Sequence, residues 1–449
     1  MYFHRALGCE RQPLVYTARC KRLLATHAIV CLAVVLLAWK IGELASESIA
    51  SGILFLPLVM TGDVLWCEMS LLIMILPERM IARNYLRGCK KSLASHTDMI
   101  VVGITGSFGK TSVKQIAQAI LSVAFSVYAT PQNYNTPMGV CKSVQNLSHD
   151  TQIFLVEMGA RKVGDIAELC DLVHPSIGIL TGIAPQHLET FGTIESIART
   201  KGELVQALPK DGFLVCGTAT SYERAWLEQA SCATCRVGDG GYIRATDIVT
   251  EQDGTRFTLH IGKSQMECQT CLLGAHNVQN ILLACAVADH LGMKIEQIAL
   301  GIARIKPIAH RLQLLQTAGG VTVLDDSYNA NENGVHAAVE VLKAMQRQGR
   351  IVVAAQGIAE QGARSDVANY AVGAQIASVA DLAIWIGPYA SDMQSGALAQ
   401  GMRASDMYQA ENLAAAQELF AKLLRKGDIL WLQNDLTDDL YGIKKGDKK

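Results

Sequence analysis

The sequence predicts an α/β protein with two parallel-sheet domains in tandem, preceded by an α-helical hairpin of membrane-spanning length. Three observations predict it. From about residue 98 to residue 435, apolar strand-like runs alternate with helical runs. Near the start of that region a strand passes into a helix through a glycine-rich turn. The excess behind a mean hydropathy of +0.21 is concentrated in the first 80 residues. A chain of 449 residues favours about three domains. Its 40 basic and 41 acidic side chains leave no large field, so a nucleic-acid partner is not indicated.

The hairpin comes first. LLATHAIVCLAVVLLAWKI (23–41) and SGILFLPLVMTGDVLWCEMSLLIMILP (51–77) are each long enough, at about 1.5 Å per residue, to cross a hydrocarbon core of about 30 Å. Asp63 and Glu68 in the second are costly against lipid, which suits an interface, the partner helix, or two half-buried helices. Arg5, Arg11, Arg19, Lys21 and Arg22 precede the first span, and Arg79, Arg83, Arg87, Lys90 and Lys91 follow the second. The connecting turn carries only Glu43 and Glu47, so both ends are expected on the cytoplasmic side of a multi-pass cell-membrane protein. A cleavable signal peptide ending near ELASESIASG is the rival; it is set aside because of the glycine-rich junction read next, whose site export would strand outside the cell. The hairpin and its basic linker take up residues 1–96.

The glycine-rich junction is VVGITGSFGKTSVKQIAQAIL (101–121). Gly106 and Gly109 let the backbone turn and present its N–H groups, with Thr105, Ser107 and Ser112 in the same cradle. The helix that follows points its positive end at a bound anion, and Lys110 adds a full charge. Thr111 is placed to ligate Mg²⁺. Ile104 stands where the commoner phosphate loop has its first glycine, so this is the narrower T-G-x-x-G-K-T variant. IFLVEMGA (153–160) reads as a buried strand whose Glu157 can hold the same Mg²⁺. SIGILTG (176–182) is a further buried strand, followed by a loop with His187 and a helix, TIESIARTKGELVQAL, that carries Lys201. Taken singly, His187 is a loop histidine and Lys201 a solvated lysine; it is their company that gives them weight. The region 97–309 is thus a P-loop central ATPase domain with a parallel sheet.

A second run begins near residue 310. Strands VTVLDDSYN (321–329), RIVVAAQGI (350–358), DLAIWIG (381–387) and GDILWLQ (427–433) alternate with helices, forming a C-terminal Rossmann-like α/β domain over 310–449. It has no GxGxxG, so dinucleotide binding is not indicated. Asp325, Asp326 and Asn329 lie where its first strand ends. Thirteen cysteines in a cytoplasmic setting stay reduced. The pairs Cys232/Cys235 and Cys268/Cys271 have zinc-knuckle spacing, or are small apolar residues on strands that flank RFTLHIG as a meander.

TGSFGKTS, TPQNYNTPMGV (130–140), VEMGARKVGDIAEL (156–169), HLETFG with KGE (187–203), GAHNVQN (274–280), HRLQ (310–313) and DDSYNANENG (325–334) together resemble the Mur ligase superfamily. Within it the chain is most similar to members that add D-alanyl-D-alanine. The resemblance implies an ATP-dependent carbon–nitrogen ligase of peptidoglycan synthesis that activates a carboxylate as an acyl phosphate and joins it to an amine. It implies ATP and Mg²⁺ as cofactors, Lys110 on the phosphates, Thr111 and Glu157 on one Mg²⁺, and His187 on a second. Lys201 matches the lysine carbamylated in many members, where it supports the metal. Asn277 and Asn280 match the block beside the adenine, and Arg311, Asp326 and Asn329 match the C-terminal contribution to the nucleotide site. The hairpin stands where the family has a domain for the UDP-linked sugar, so the acceptor is a UDP-linked or lipid-linked muropeptide and the amine a D-amino acid or dipeptide. WLQNDL (431–436), QGIAEQGARS (356–365) and Glu332 depart from the family's blocks for the amine. Two other readings stay open: a relative that amidates lipid-linked peptide with a glutaminase partner and carries a cysteine zinc ribbon, and a non-catalytic cell-wall scaffold.

Overall fold

The computed structural model describes residues 16–46, 62–132, 134–185, 188–217, 220–328, 331–359 and 361–433. They belong to two compact units, Met1–Lys91 and Ser92–Lys449.

In the first unit, helix Ala18–Ser46 faces the long helix that starts at Asp63. Arg22 pairs with Glu78 at 2.7 Å, and Asp63 meets His27 of the other helix at 3.1 Å, where Ser70 is buried. Large apolar side chains such as Leu32, Leu36, Leu65, Leu72 and Leu76 face outward. Among the described residues one helix, Ala18–Ile41, is long and apolar enough to cross a membrane by length and composition. The second expected span differs. Residues 51–61 lie outside the described residues, and the remainder belongs to a helix, Asp63–Ala94, that runs through Pro77 into the basic stretch. Proline removes one backbone donor, but the Leu, Met, Glu and Arg residues around it are strong helix formers, and the helix continues.

In the second unit the strands are β1 (Ile100–Thr105), β2 (Val127–Ala129), β3 (Ile153–Glu157), β4 (Ile177–Leu180), β5 (Phe213–Cys216) and β6 (Ala233–Arg236), all parallel, in the order β2-β3-β1-β4-β5-β6. β1, β3, β4 and β5 are almost wholly buried because helices cover both faces, which is why they read as unbroken apolar runs. Glu157, the one charged residue of β3, sits at its carboxyl end beside Ile104 of β1. Helix Lys110–Leu121 buries Val113, Ile116, Ala117 and Ile120 against that sheet and against helix Ala275–His290.

β7 (Ile243–Glu251), β8 (Gly254–Ile261) and β9 (Ser264–Thr270) form an antiparallel meander. RFTLHIG is its middle strand, as the alternation predicts. The first cysteine pair is placed elsewhere: Cys235 lies on β6, at the edge of the parallel sheet, so only Cys268 belongs to a meander strand. Cys271 Sγ donates to Ile305 O at 3.1 Å. Among the described residues these four cysteines do not gather into a metal-ligand group.

The last sheet joins β10 (Gln313–Gln316), β11 (Thr322–Asp326), β12 (Ile351–Ala355), β13 (Leu382–Ile386), β14 (Met407–Ala410) and β15 (Ile429–Gln433) in the order β10-β11-β15-β12-β13-β14. Only β10 is antiparallel, pairing with β11. The four strands expected from sequence are β11, β12, β13 and β15; the short edge strands β10 and β14 carry too few residues for a periodic signal. Asp325 and Asp326 end β11, at the carboxyl edge where such sheets bind ligands.

Candidate active site

The loop after β1 is built around two backbone constraints. Gly106 has φ +152° and Gly109 φ +75°, and a β-carbon on Gly106 would lie 3.1 Å from Gly182 O. Ser107 N donates to Gly182 O at 2.9 Å, and Thr181 Oγ1 donates to Phe108 O, so the end of β4 holds the loop from one side. On the other side is the end of β3. Thr105 is buried behind the loop and donates to Met158 O, and Ser112 is buried in the first helical turn.

Around this loop lies a cavity of about 540 Å³. Ser107, Gly109, Lys110 and Thr111 line it with Glu157, Lys201 and Arg311. Residues 110 and 311 therefore face one space although 201 positions separate them in the chain. Lys110 Nζ donates to Gly106 O at 2.7 Å and Ser107 O at 3.3 Å, lying over its own loop. Burial brings its pKa down to about 8, with Glu157 opposing and Arg311 adding to the fall. Ser107 Oγ is buried without a hydrogen-bond partner among the described residues, inside the same cradle.

Glu157 is the hub. Its carboxylate accepts from Thr111 Oγ1 at 3.0 and 3.1 Å, from Asn135 Nδ2 at 3.3 Å and from Lys114 Nζ at 2.9 Å. Lys114 also donates to Gln132 O at 2.6 Å, and both partners of the pair are almost fully buried. The Thr111 and Glu157 oxygens test well against Mg²⁺. They are hard oxygen donors of the kind Mg²⁺ takes, brought side by side by hydrogen bonds of 3.0 and 3.1 Å to the two carboxylate oxygens.

The KGE block divides its labour among three neighbours. Lys201 is buried and faces the cavity; Gly202 passes so close to Trp226 that a β-carbon would lie 2.7 Å from Nε1. Glu203 accepts from Gly164 N at 2.7 Å and Ala167 N at 2.9 Å, capping the start of helix Asp165–Val173. Burial, then the charge of Lys110, brings Lys201 down to about 7 against the pull of Asp165 and Glu203. Arg311 lies over the Tyr328 ring at 4.5 Å. Burial raises Asp326 to about 7, opposed by Arg311 and the Leu312 N–H.

The expected residues thus divide. The loop residues, Glu157, Lys201 and Arg311 come together. Asn277 and Asn280 are buried in the helix that packs against the loop: Asn277 donates to Leu273 O at 2.9 Å, and Asn280 Oδ1 would meet a β-carbon on Gly109 at 2.9 Å. Asp326 lies beside Arg311 rather than in the cavity wall. His187 and Asn329 fall outside the described residues. Sequence reasoning passed over Lys114, Asn135, Asp165, Tyr328 and Asn331. Lys114 had a local signal, a lysine one turn beyond Lys110 in a helix otherwise buried at Val113, Ile116 and Ala117.

Two family descriptions match the chain: "Mur ligase middle domain" over residues 104–288 and "Mur ligase, glutamate ligase domain" over 310–433. The UDP-N-acetylmuramoyl-tripeptide–D-alanyl-D-alanine ligase of Mycobacterium tuberculosis is 35% identical over 254 residues, covering 56% of this chain and 50% of that protein. Its Escherichia coli counterpart is 34% identical over 280 residues, 61% of each. The chain therefore spans about half to three-fifths of the length of these relatives. Among solved structures, a MurF from Acinetobacter baumannii superposes with a TM-score of 0.73 at 26% identity, covering 80% of both chains. A Thermotoga maritima MurF ligase in complex with ADP gives 0.71 at 24% identity, covering 79% of this chain and 80% of that one, a likeness of fold.

Proposed function

The chain belongs to the Mur ligase family, and from that premise we propose that it is an ATP-dependent amide ligase of cell-wall peptide synthesis. One observation carries the reading: Lys110, the Thr111–Glu157 pair, Lys201 and Arg311 surround a single cavity. Such a site suits a reaction in which charge builds on transferring phosphoryl oxygens and the protein supplies little covalent chemistry. The acceptor carboxylate attacks the γ-phosphorus and ADP leaves; the amine nitrogen then attacks the acyl carbon, loses its proton, and phosphate leaves. Lys110 and Arg311 bear the phosphoryl charge. Thr111 and Glu157 would hold Mg²⁺, which when bound neutralises charge on the phosphates. His187, Asn277, Asn280, Asp326 and Asn329 keep the roles their matching blocks imply, as part of this proposal.

Carbamylation of Lys201 is part of this proposal, and the lysine's burial and lowered pKa support it. With its pKa near 7, about half of the amine is neutral at that pH and able to take up CO₂. Lys201→Ala should lose activity and regain part of it with small carboxylates that fill the carbamate's place; an intact fold without rescue sinks the carbamate and leaves the ligase standing.

The relatives' names support a UDP-linked muramoyl tripeptide as acceptor and D-alanyl-D-alanine as amine. The finer reading is that residues 1–96 hold the protein at the cell membrane, with 97–309 and 310–449 as catalytic domains on the cytoplasmic side and a lipid-linked acceptor in reach. The apolar helix Ala18–Ile41 and the outward-facing leucines of both helices support it. Full-length protein should then sediment with membranes and resist carbonate extraction; recovery in the soluble fraction would remove the anchor from the proposal. Phosphate release with ATP and Mg²⁺ should be tested against UDP-linked and lipid-linked muropeptides, with and without D-alanyl-D-alanine. Amine-dependent release with one acceptor names the substrate; nucleotide binding without turnover on any of them favours the scaffold.

A further inference from the structure

We propose that His310, outside the family blocks' assigned roles, is the positioning residue that holds Arg311 in the nucleotide cavity. The inference rests on the reading of that cavity as an ATP site.

Arg311 stands between two residues with left-handed backbone, His310 at φ 60° and Leu312 at φ 48°. A side chain with a β-carbon resists that conformation, and two in three residues persist only where the surroundings hold them. His310 is held by its ring. Nδ1 lies 2.8 Å from Asp325 Oδ2 and 3.2 Å from Ser327 Oγ. Asp325 is itself fixed: it is buried, and its other oxygen accepts from Ser327 N at 3.1 Å and Ser327 Oγ at 2.5 Å.

The grip falls on a short stretch of chain. Asp325 and Ser327 hold His310, while Tyr328, one residue further, lies under the Arg311 guanidinium at 4.5 Å. The end of β11 therefore clasps two successive residues of the segment that leads from helix Ile295–Ala303 into β10. Releasing His310 frees the backbone on one side of Arg311. Arg311, still over Tyr328 and beside Asp326, then samples a wider range of positions, and the entropy of ordering it falls on the nucleotide at the moment of binding.

Three substitutions separate the ring's hydrogen bonds from the backbone's strain. Asn Nδ2 occupies the same place relative to Cβ as His Nδ1, and asparagine tolerates the left-handed region. Glycine accepts the backbone and makes no side-chain bond; alanine does neither. ATP affinity of the full-length protein in detergent is the readout, by equilibrium binding with Mg²⁺, with thermal unfolding as the control for folding. His310→Ala and His310→Gly should each weaken ATP by roughly 10-fold or more, the scale of one lost hydrogen bond to a charged group. His310→Asn should restore binding to within about 3-fold, less than half a decade of affinity.

Wild-type affinity in His310→Gly beside a weakened His310→Ala would mean that the backbone alone matters, and would overturn the proposal. So would equal affinity in all three variants, and the ligase reading would survive that result. Failure of the unsubstituted protein to bind ATP takes down both.

Discussion

Lys110→Ala is expected to lower ATP-dependent phosphate release by about 10²–10³-fold or more while leaving the protein folded. The lysine supplies the full positive charge of a cradle otherwise made of backbone dipoles, and such charges act most strongly where water is excluded. Its only described hydrogen bonds are to Gly106 and Ser107 carbonyls of its own loop, so its removal leaves the sheet and the helix packing untouched. A second consequence follows from its field. Lys110 helps to hold down the pKa of Lys201, so in the variant Lys201 should titrate above 7 and a smaller share of it should be neutral at pH 7. Phosphate-release kinetics together with thermal unfolding check the first claim. A variant with unchanged turnover would show that the loop does not act on the transferring phosphoryl group.

Lys114→Met should destabilise the protein by about 3–5 kcal/mol, because among the described residues it removes the one cation hydrogen-bonded to the buried Glu157 carboxylate and leaves only the more distant fields of Lys110 and Arg311. The bonds from Thr111 and Asn135 remain, yet both come from neutral donors and do not replace a buried ion pair. The midpoint of thermal unfolding should fall by about 6 °C or more. The double variant Lys114→Met with Glu157→Leu should recover most of that loss, since a buried pair replaced by apolar groups of similar size is close to neutral. It should nevertheless stay inactive, having lost the carboxylate proposed to hold Mg²⁺. Strong non-additivity in stability combined with none in activity would separate the structural use of Glu157 from its chemical one. If Lys114→Met unfolds at the wild-type midpoint, water reaches the pair and the burial argument fails.

Much of the site was legible because its signals are local. A strand, a glycine-rich turn and a lysine–threonine pair follow one another within a dozen residues, and Gly106 and Gly109 are needed by the backbone they adopt. Glu157 was legible as a carboxylate ending an apolar strand, where parallel sheets collect ligands. Arg311 and Lys201 were found through resemblance to family blocks, since nothing in their immediate neighbours sets them apart. Lys114 had a local sign, a lysine on the buried face of its helix, but its partner did not, and like Asn135 it was missed because the pairing with Glu157 appears only when β1 and β3 lie side by side.

By itself, then, the sequence determined the elements: buried strands as unbroken apolar runs, helices with one apolar face, turns where glycine is required, and an apolar helix near the start. Periodicity and turn chemistry act over a few residues and can be read one segment at a time. Tertiary structure decided what meets what. The order β2-β3-β1-β4-β5-β6 puts Glu157 and Thr181 on opposite sides of the phosphate loop, and the segment between His310 and β10 brings Arg311 to the cavity lined by Lys110, 201 residues earlier. It also sent Cys235 and Cys268 to different sheets, although their spacing left a common metal open. Strand order is set by the packing of whole faces against one another, a sum over contacts between distant segments, and no local pattern carries that sum.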